Sequence, residues 1–252
     1  MNTPVLETVG LVHTFDDGSR GLDNVSLSFP PGSFNVLAGA NGSGKTLFLR
    51  HLVGLMVPTE GSILLNGDPA SKDWNLARKL LGFLFQDADA QILEATVLED
   101  ALFGPRHQGL PYEKAKIIAR ESLVLCGLAH REEDLTALLS GGEKRRLNLA
   151  GVLTLGASIL LLDEPFNGLD QPGVEAFLRI LIDLHKQGRT IILVTHDLEK
   201  CLAHADTLTL WYEGRVLAHG SPDLVWEEIP RAGVHRPRVG RENWKELTWL
   251  PN

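Results

Sequence analysis

The chain has 252 residues, 44% of them hydrophobic and 22% charged, a balance that excludes an intrinsically disordered or collagen-like protein. Its 24 basic and 32 acidic residues give a net charge of -8, which argues against a general binder of nucleic acid or anionic lipid. The longest uncharged, mostly apolar stretch, residues 150–162, is shorter than the roughly 18 residues that a membrane span needs. We therefore expect a soluble chain, which leaves open that it works at a membrane with a spanning partner.

Patterns typical of strands and helices alternate along the chain. The first and last thirds favour β-structure, whereas the middle, about residues 71–143, favours helices. The strand patterns cover residues 25–29, 34–38, 62–65, 159–162 and 190–195, with a terminal hairpin over residues 207–218. The helix patterns cover residues 45–53, 111–125, 144–153 and 174–185. A strand, a helix and a strand at this spacing predict a parallel sheet and therefore an α/β fold.

The last part of the chain, residues 229–252, differs in composition from the rest. It holds two of the five tryptophans, Trp244 and Trp249. It also holds four arginines, Arg231, Arg236, Arg238 and Arg241. A contact with a partner protein is one interpretation, and a tail docked by its tryptophans is the favoured one. We expect one unit over residues 1–228, with a helical insertion over about residues 87–145, followed by a short C-terminal tail.

The sharpest motif is a glycine-rich loop between a predicted strand and a predicted helix. It matches the phosphate-binding pattern G-x-x-x-x-G-K-[ST] and consists of Gly39, Ala40, Asn41, Gly42, Ser43, Gly44, Lys45 and Thr46. Glycines let successive backbone N–H groups converge on phosphate oxygens, and the start of the next helix favours negative charge. Lys45 is expected to bind the β- and γ-phosphates of a nucleotide, and Thr46 to bind Mg²⁺. The alternative, a chance glycine-rich turn, is disfavoured because strand, loop, Lys-Thr pair and helix occur in order.

Two carboxylates follow a run of four apolar residues. Residues 159–162 predict a buried strand, and Asp163 and Glu164 come directly after it, at the edge where parallel sheets carry their sites. Asp163 is expected to hold Mg²⁺, and Glu164 to polarise the attacking water as a general base. A solvated acidic turn is the alternative. Taken alone the two interpretations are equally good, and the phosphate loop favours the first.

A third motif makes a second anion site at the start of a helix. It consists of Leu139, Ser140, Gly141, Gly142 and Glu143. With these three motifs in this order, the chain resembles the ATPase subunit of an ABC transporter, whose signature is this pentapeptide. The resemblance implies a P-loop NTPase with the ABC ATPase fold: a RecA-like core, an antiparallel β subdomain and an inserted helical subdomain. It also explains two anion sites, because such ATPases pair head to tail, with each ATP between one subunit's phosphate loop and the other's signature.

The resemblance covers about residues 5–228 and implies roles for four further residues. Gln86 is expected to contact Mg²⁺ and water and to sense the membrane partner, and Asp170 to cross the dimer interface. His196 is expected to contact the γ-phosphate, although a lone histidine after a strand is more often structural. Phe15 is expected to stack on adenine, and the alternative is an ordinary hydrophobic strand residue.

Within the family, residues 85–91, 96–100 and 103–105 are similar to the ATPases of energy-coupling-factor importers, which take up cobalt, nickel or vitamins. The resemblance implies an ATPase that uses ATP and Mg²⁺ at the cytoplasmic face of the cell membrane. Its implied partners are a transmembrane coupling subunit, a substrate-binding membrane subunit and a second ATPase subunit, either the same chain or a paralogue, and no nucleic acid. Two alternatives stay open. One is an ABC ATPase of repair, translation or cofactor assembly that moves no solute, and the other is a nucleotide kinase, which shares only the phosphate loop.

Overall fold

The structure is a computed structural model and describes residues 4–250. Ten strands lie within these residues: β1 (Leu6–Thr14), β2 (Arg20–Phe29), β3 (Phe34–Gly39), β4 (Glu60–Leu65), β5 (Asp68–Pro69), β6 (Leu81–Leu84), β7 (Ile159–Asp163), β8 (Thr190–Thr195), β9 (Thr207–Tyr212) and β10 (Arg215–Gly220). The α-helices there are α1 (Lys45–Leu52), α2 (Trp74–Leu80), α3 (Val97–His107), α4 (Tyr112–Leu125), α5 (Gly141–Thr154), α6 (Gln171–Lys186) and α7 (Pro222–Val225). None of the helices between residues 4 and 250 has the length and apolarity that crossing a membrane requires.

The strands form two sheets. The larger sheet has the order β10-β9-β3-β8-β7-β6, in which β10 pairs antiparallel with β9 and the other neighbours pair in parallel. The smaller sheet is antiparallel and has the order β2-β1-β4-β5. Helices α3, α4 and α5 pack against one another as a helical insert between β6 and β7. The predicted α/β fold, with its antiparallel subdomain and helical insert, is therefore confirmed.

The larger sheet is covered on both faces, which explains why its parallel strands have continuous apolar sequences. On one face, Leu161 of β7 and Ile192 of β8 pack in a core that includes α1 and the antiparallel sheet. On the other face, Leu160 and Leu193 pack in a core that includes the helices of the insert and α6. Successive residues of a strand point to opposite faces, so each parallel strand contributes to both cores.

The structure corrects two details of the predicted elements. The helical middle of the chain contains a parallel strand, β6, which pairs with β7. This strand is short and contains Gly82, where a Cβ would overlap Cγ1 of Val152, so glycine lets α5 pack closely on the sheet. Helix α5 begins at Gly141 rather than at residue 144, because Ser140 and Glu143 form a capping box that starts it earlier.

The C-terminal tail is docked on the rest of the chain. Trp244 and Trp249 pack against the larger core, and Leu247 between them is buried. Two of the arginines form ion pairs, Arg231 with Glu228 and Arg236 with Glu227. The docked tail that the sequence favours is therefore what the structure shows. The limits of the main unit, the insertion and the tail stay predictions.

Candidate active site

The phosphate loop connects β3 to α1 and holds its lysine inside the loop. Lys45 is 6% exposed, and its Nζ donates hydrogen bonds to the carbonyl oxygens of Gly39 and Ala40, both at 2.8 Å. Burial lowers the pKa of Lys45, and the negative charges of Glu164 and Asp163 oppose that effect. Because neutral carbonyls hold the ammonium group, its charge stays available for an anion at the start of α1.

The end of the loop requires glycine. Gly44 precedes α1 with a φ of 104°, in the left-handed region, and a Cβ there would lie 2.7 Å from the carbonyl oxygen of Gly21 in β2. The loop therefore packs directly against the antiparallel sheet. Asn41 and Gly42 are exposed and line the cleft in front of the loop, whereas Ser43 is buried.

The end of β7 places a carboxylate against the phosphate loop. Thr46 Oγ1 donates a hydrogen bond to Asp163 Oδ1 at 3.1 Å, and Asp163 is 2% exposed. Burial raises the pKa of Asp163. These oxygens, with Gln86 lining the same cleft, are the hard donors that fit Mg²⁺. In the part of the chain that the structure describes, no group of three or more His, Cys, Asp or Glu side chains could hold a metal, so an ion here needs water or nucleotide oxygens as well.

Glu164 is buried beside this pair, on a strained backbone. Its φ is 48°, an uncommon value for a residue with a side chain, and it is 7% exposed. Nδ1 of His196, which follows β8, lies 3.0 Å from both carboxylate oxygens of Glu164. An ionised carboxylate only accepts hydrogen bonds, so His196 carries a proton on Nδ1 and holds Glu164 in place. The neighbouring parallel strands thus bring together the predicted base and the predicted histidine.

The phosphate loop, the acids and Phe15 line one cleft of about 510 Å³. Phe15 is 44% exposed at the end of β1, and its ring lies 4.8 Å from that of His13. The sequence indicated no role in the site for four residues that share the cleft: Gly21, Leu47, Arg50 and Met56. Asn167 lines the cleft too, and its place close after Asp163 and Glu164 is a signal in the sequence. An exposed aromatic ring at the mouth of a phosphate-binding cleft suits a nucleotide base.

The signature lies outside this cleft. Ser140, Gly141, Gly142 and Glu143 line a separate concavity of about 460 Å³, together with Asp170, whereas Leu139 is buried. The Ser140 side chain accepts a hydrogen bond from the Glu143 N–H, and Asp170 accepts one from the Gly173 N–H at the start of α6. The concavity and the nucleotide cleft share no lining residue. One chain therefore does not bring its own signature to its phosphate loop.

The loop that carries Gln86 is fastened to α5 by residues for which the sequence indicated no role. Arg145 donates hydrogen bonds to the carbonyl oxygens of Phe85 and Gln86, at 2.8 and 2.7 Å. Asn148 Nδ2 donates one to the Ala88 carbonyl at 2.8 Å. Because α5 is the helix that begins at the signature, these bonds join the Gln86 loop to the signature element.

Comparison with known proteins agrees with this arrangement. Residues 22–167 match the family model described as ABC transporter. The chain is 36% identical over 241 residues to the energy-coupling factor transporter ATP-binding protein EcfA of Methanocaldococcus jannaschii, covering 93% of this chain and 86% of that protein. It is 38% identical over 243 residues to the cobalt import ATP-binding protein CbiO of Rhodobacter capsulatus, covering 94% and 87%. The structure of CbiO1 from Clostridium perfringens, part of the ABC transporter complex CbiONQ, matches with a TM-score of 0.83 at 31% identity and covers 96% of this chain and 99% of that one.

The chain belongs to the ABC transporter family, as its ATP-binding component. It is an ATPase whose hydrolysis of ATP is coupled to transport. The family that the motifs predicted is confirmed, and the nucleotide kinase alternative is wrong. The roles of the individual site residues stay predictions that the geometry supports.

Proposed function

We propose that this chain powers an importer of the energy-coupling-factor type and that two ATPase subunits close head to tail on two ATP molecules. The observation that carries the proposal is the separation, within one chain, of the nucleotide cleft from the signature concavity. In a pair of subunits related by a two-fold axis every contact occurs twice. One arrangement therefore brings the signature of each subunit to the nucleotide cleft of the other. The second subunit is a copy of this chain or a paralogue.

The residues of the cleft have separable tasks in this proposal. Lys45 and the N–H groups of the loop bind phosphate oxygens, and Phe15 stacks on adenine. Thr46, Gln86 and Asp163 would hold Mg²⁺, which supplies a Lewis acid at the phosphates when bound. Glu164 accepts a proton from the attacking water while Nδ1 of His196 keeps the carboxylate in position.

The partner completes the site. Ser140 and Gly142 of the partner subunit approach the γ-phosphate when the pair closes, and the start of the partner's α5 adds its dipole. Asp170 lies beside the signature and is exposed, which suits a residue of the interface between the subunits. Closure excludes water from the cleft, and hydrolysis then reopens the pair.

A groove beside the Gln86 loop suits a membrane partner. Phe83, Leu93 and Phe103 line it, and Leu93 is 61% exposed. The exposed Leu93 adjoins the half-buried Phe83 and Phe103, and an apolar surface of this kind marks a contact for another protein. The Gln91 side chain accepts a hydrogen bond from the Phe85 N–H and donates one to the Phe83 carbonyl, so movement in the groove reaches the Gln86 loop. We infer that a transmembrane coupling subunit binds here, at the cytoplasmic face of the membrane.

For the solute we infer cobalt, nickel or a vitamin. The support is that the Rhodobacter capsulatus relative is a cobalt import protein and the Methanocaldococcus jannaschii relative belongs to an energy-coupling factor transporter. A substrate-binding membrane subunit selects the solute in this proposal, and the ATPase supplies the energy.

Replacing the proposed base tests the mechanism. Glu164→Gln keeps the shape of the side chain and removes its basicity, so we expect ATP turnover to fall by about 10²–10⁴-fold while ATP binding persists. Steady-state phosphate release by the purified protein measures the loss. Glu121→Gln, at an exposed position on α4, is the matched control and should keep the wild-type rate. Near-normal hydrolysis by Glu164→Gln would show that another group is the base.

A pull-down tests the partners. The tagged Glu164→Gln variant is isolated from native membranes with ATP, and mass spectrometry identifies what accompanies it. We expect a transmembrane coupling subunit and a substrate-binding membrane subunit, and the latter would point to the solute. A second, different ATPase would make the pair heterodimeric. Recovery of soluble partners alone would contradict the importer and favour an ABC ATPase that moves no solute.

A further inference from the structure

The C-terminal segment, residues 229–250, touches the phosphate loop. We propose that this segment is a positioning element for nucleotide binding: it fixes the backbone of the loop at Ala40, and through Ala40 it places the ammonium group of Lys45. The proposal rests on the proposed role of the loop in binding the phosphates of ATP. It gives a task to a part of the chain that lies beyond every motif of the nucleotide site.

The contact with the loop is made by backbone atoms. The N–H of Ala40 donates a hydrogen bond to the carbonyl oxygen of Ala232 at 2.9 Å, and Ala232 is fully buried. The carbonyl of Ala40 accepts a hydrogen bond from Lys45 Nζ at 2.8 Å. A shift of Ala40 therefore moves one of the two carbonyls that hold the lysine ammonium, the group expected to bind phosphate.

Gly233 makes this contact possible. Its φ of 70° lies in the left-handed region, and a Cβ at this position would lie 2.9 Å from Cβ of Ala40. The Ala40 side chain is a single methyl group, so it cannot rotate away from such a contact. A larger residue at position 233 must displace either the segment or the loop backbone.

The far end of the segment is anchored to the loop that follows His196. Leu247 accepts a hydrogen bond from the N–H of Ala203 at 2.9 Å, and the N–H of Trp249 donates one to the carbonyl of Lys200 at 3.2 Å. Lys200 Nζ also lies 4.9 Å from the centre of the Trp249 ring and 3.1 Å from Asp197, the residue after His196.

The middle of the segment is held by the core. Val239 and Trp244 pack against the larger core, and Val234 and Leu247, nearer the two ends, are buried. A segment fixed along its length resists displacement at its contact with Ala40. The strain that a substitution at Gly233 introduces is therefore expected to distort the phosphate loop as well as the segment.

The test compares two glycine substitutions. Gly233→Ala adds both the left-handed strain and the contact with Ala40, whereas Gly156→Ala adds the strain alone, because Gly156 has a φ of 77° and no heavy atom within 4 Å of its Cβ position. Binding of ADP, which carries the phosphates and is not hydrolysed, is measured by titration calorimetry on the folded proteins. We expect Gly233→Ala to raise the Kd for ADP about tenfold and Gly156→Ala to leave it at the wild-type value.

The outcomes separate the inference from the proposed function. A purely structural role would lower the melting temperature of both variants and leave both Kd values unchanged, which would overturn the positioning role. Failure of the wild-type chain to bind ADP would instead count against the proposed role of the loop.

A measurement on the wild-type chain decides the matter if Gly233→Ala does not fold. Amide hydrogen exchange is followed with and without ADP. We expect ADP to slow exchange at least about threefold in peptides that cover residues 229–234 and to leave exchange in α4 unchanged. The reason is that bound phosphate fixes the loop, and a fixed loop stabilises the segment that is hydrogen-bonded to it. Unchanged exchange over residues 229–234 in the ADP-bound protein would overturn the proposal.

Discussion

His51 is a fully buried histidine in α1, one helical turn beyond the phosphate loop. Its Nδ1 lies 3.1 Å from the carbonyl oxygen of Met56, so Nδ1 carries the proton, while Nε2 has no hydrogen-bond partner in the described structure. His13 of β1 packs beside it, with ring centroids 4.8 Å apart. Burial, reinforced by the charge of His13, lowers the pKa of His51 to about 4.

This histidine is expected to make the fold sensitive to acid. In the unfolded chain His51 takes up a proton near pH 6.5, whereas in the fold it does so near pH 4, so stability falls as the pH drops between these values. At pH 5 the loss is ~2 kcal/mol. His51→Gln keeps an N–H for Met56 and does not titrate. Between pH 7.5 and pH 5 its free energy of unfolding, measured with urea, should therefore fall by ~2 kcal/mol less than that of the wild type. Parallel pH profiles for the two proteins would contradict the prediction.

The sequence predicts individual site residues where a strong element pattern ends in a polar side chain. Lys45, Asp163 and Glu164 follow apolar strands or precede a helix, and the structure brings all three to one cleft. The sequence does not predict Gly21, because its contact with Gly44 joins segments that are far apart in the chain. Such contacts depend on how the two sheets pack, which no local pattern encodes.

At the scale of elements, Arg145 couples α5 to the loop that carries Gln86. It is 4% exposed, and burial lowers its pKa. Its partners are the backbone carbonyls of Phe85 and Gln86, both in exposed residues. Water can replace the guanidinium at those carbonyls, and removing a buried charge recovers a desolvation cost. The arginine therefore contributes more to the position of the loop than to the stability of the fold.

We expect Arg145→Leu to separate activity from stability. ATP turnover should fall about tenfold because the Gln86 loop loses the two hydrogen bonds from Arg145 and is held less firmly over the cleft. The free energy of unfolding should change by less than about 2 kcal/mol, since the lost hydrogen bonds and the relieved desolvation oppose each other. Phosphate release and urea unfolding measure the two quantities. Arg120→Leu is the control, because it removes a half-exposed ion pair with Glu132. It should change neither ATP turnover nor the free energy of unfolding by much. Wild-type turnover in Arg145→Leu would refute this coupling.

Element patterns in the sequence succeed where the apolar residues are numerous and fail where packing decides. Helices α4 and α6 and strands β7 and β8 lie where their periodicity indicates. Strand β6 has four residues, and its place beside β7 depends on the room that Gly82 leaves for α5. A short run of this kind carries too little periodicity to distinguish a strand from a helix.

At the scale of the whole molecule, one chain contributes only half of the residues of each proposed ATP site, and the partner subunit contributes the other half. The cleft contains the phosphate loop, Glu164 and His196, and the signature faces a separate concavity together with Asp170. The sequence predicts this division only through the family resemblance, because no pattern within one chain specifies a contact between two chains. The signature glycine Gly142 offers a substitution that the folded chain tolerates and a closed pair does not.

We expect Gly142→Asp to abolish ATP-dependent pairing without unfolding the subunit. A Cβ at Gly142 would meet its nearest neighbour, Cδ2 of Leu169, at 3.8 Å, an ordinary contact, and an aspartate in the first turn of α5 suits the helix dipole. In the closed pair the same carboxylate would face the phosphates across the interface and repel them. The variant is made in the Glu164→Gln background, and its mass is measured by light scattering with ATP.

The matched control is Gly109→Asp, also in the Glu164→Gln background, which places the same charge in the open turn between α3 and α4. The parent and the control should shift from monomer to dimer with ATP, whereas Gly142→Asp should remain monomeric. The melting temperature of Gly142→Asp and its affinity for ATP as a monomer should match those of the Glu164→Gln parent, because the phosphate loop is intact. The control is compared for pairing alone, since Gly109 has a φ of 78° and a side chain there adds left-handed strain. A Gly142→Asp protein that still dimerises would show that the signature does not face the partner's nucleotide, and the head-to-tail arrangement would then be wrong.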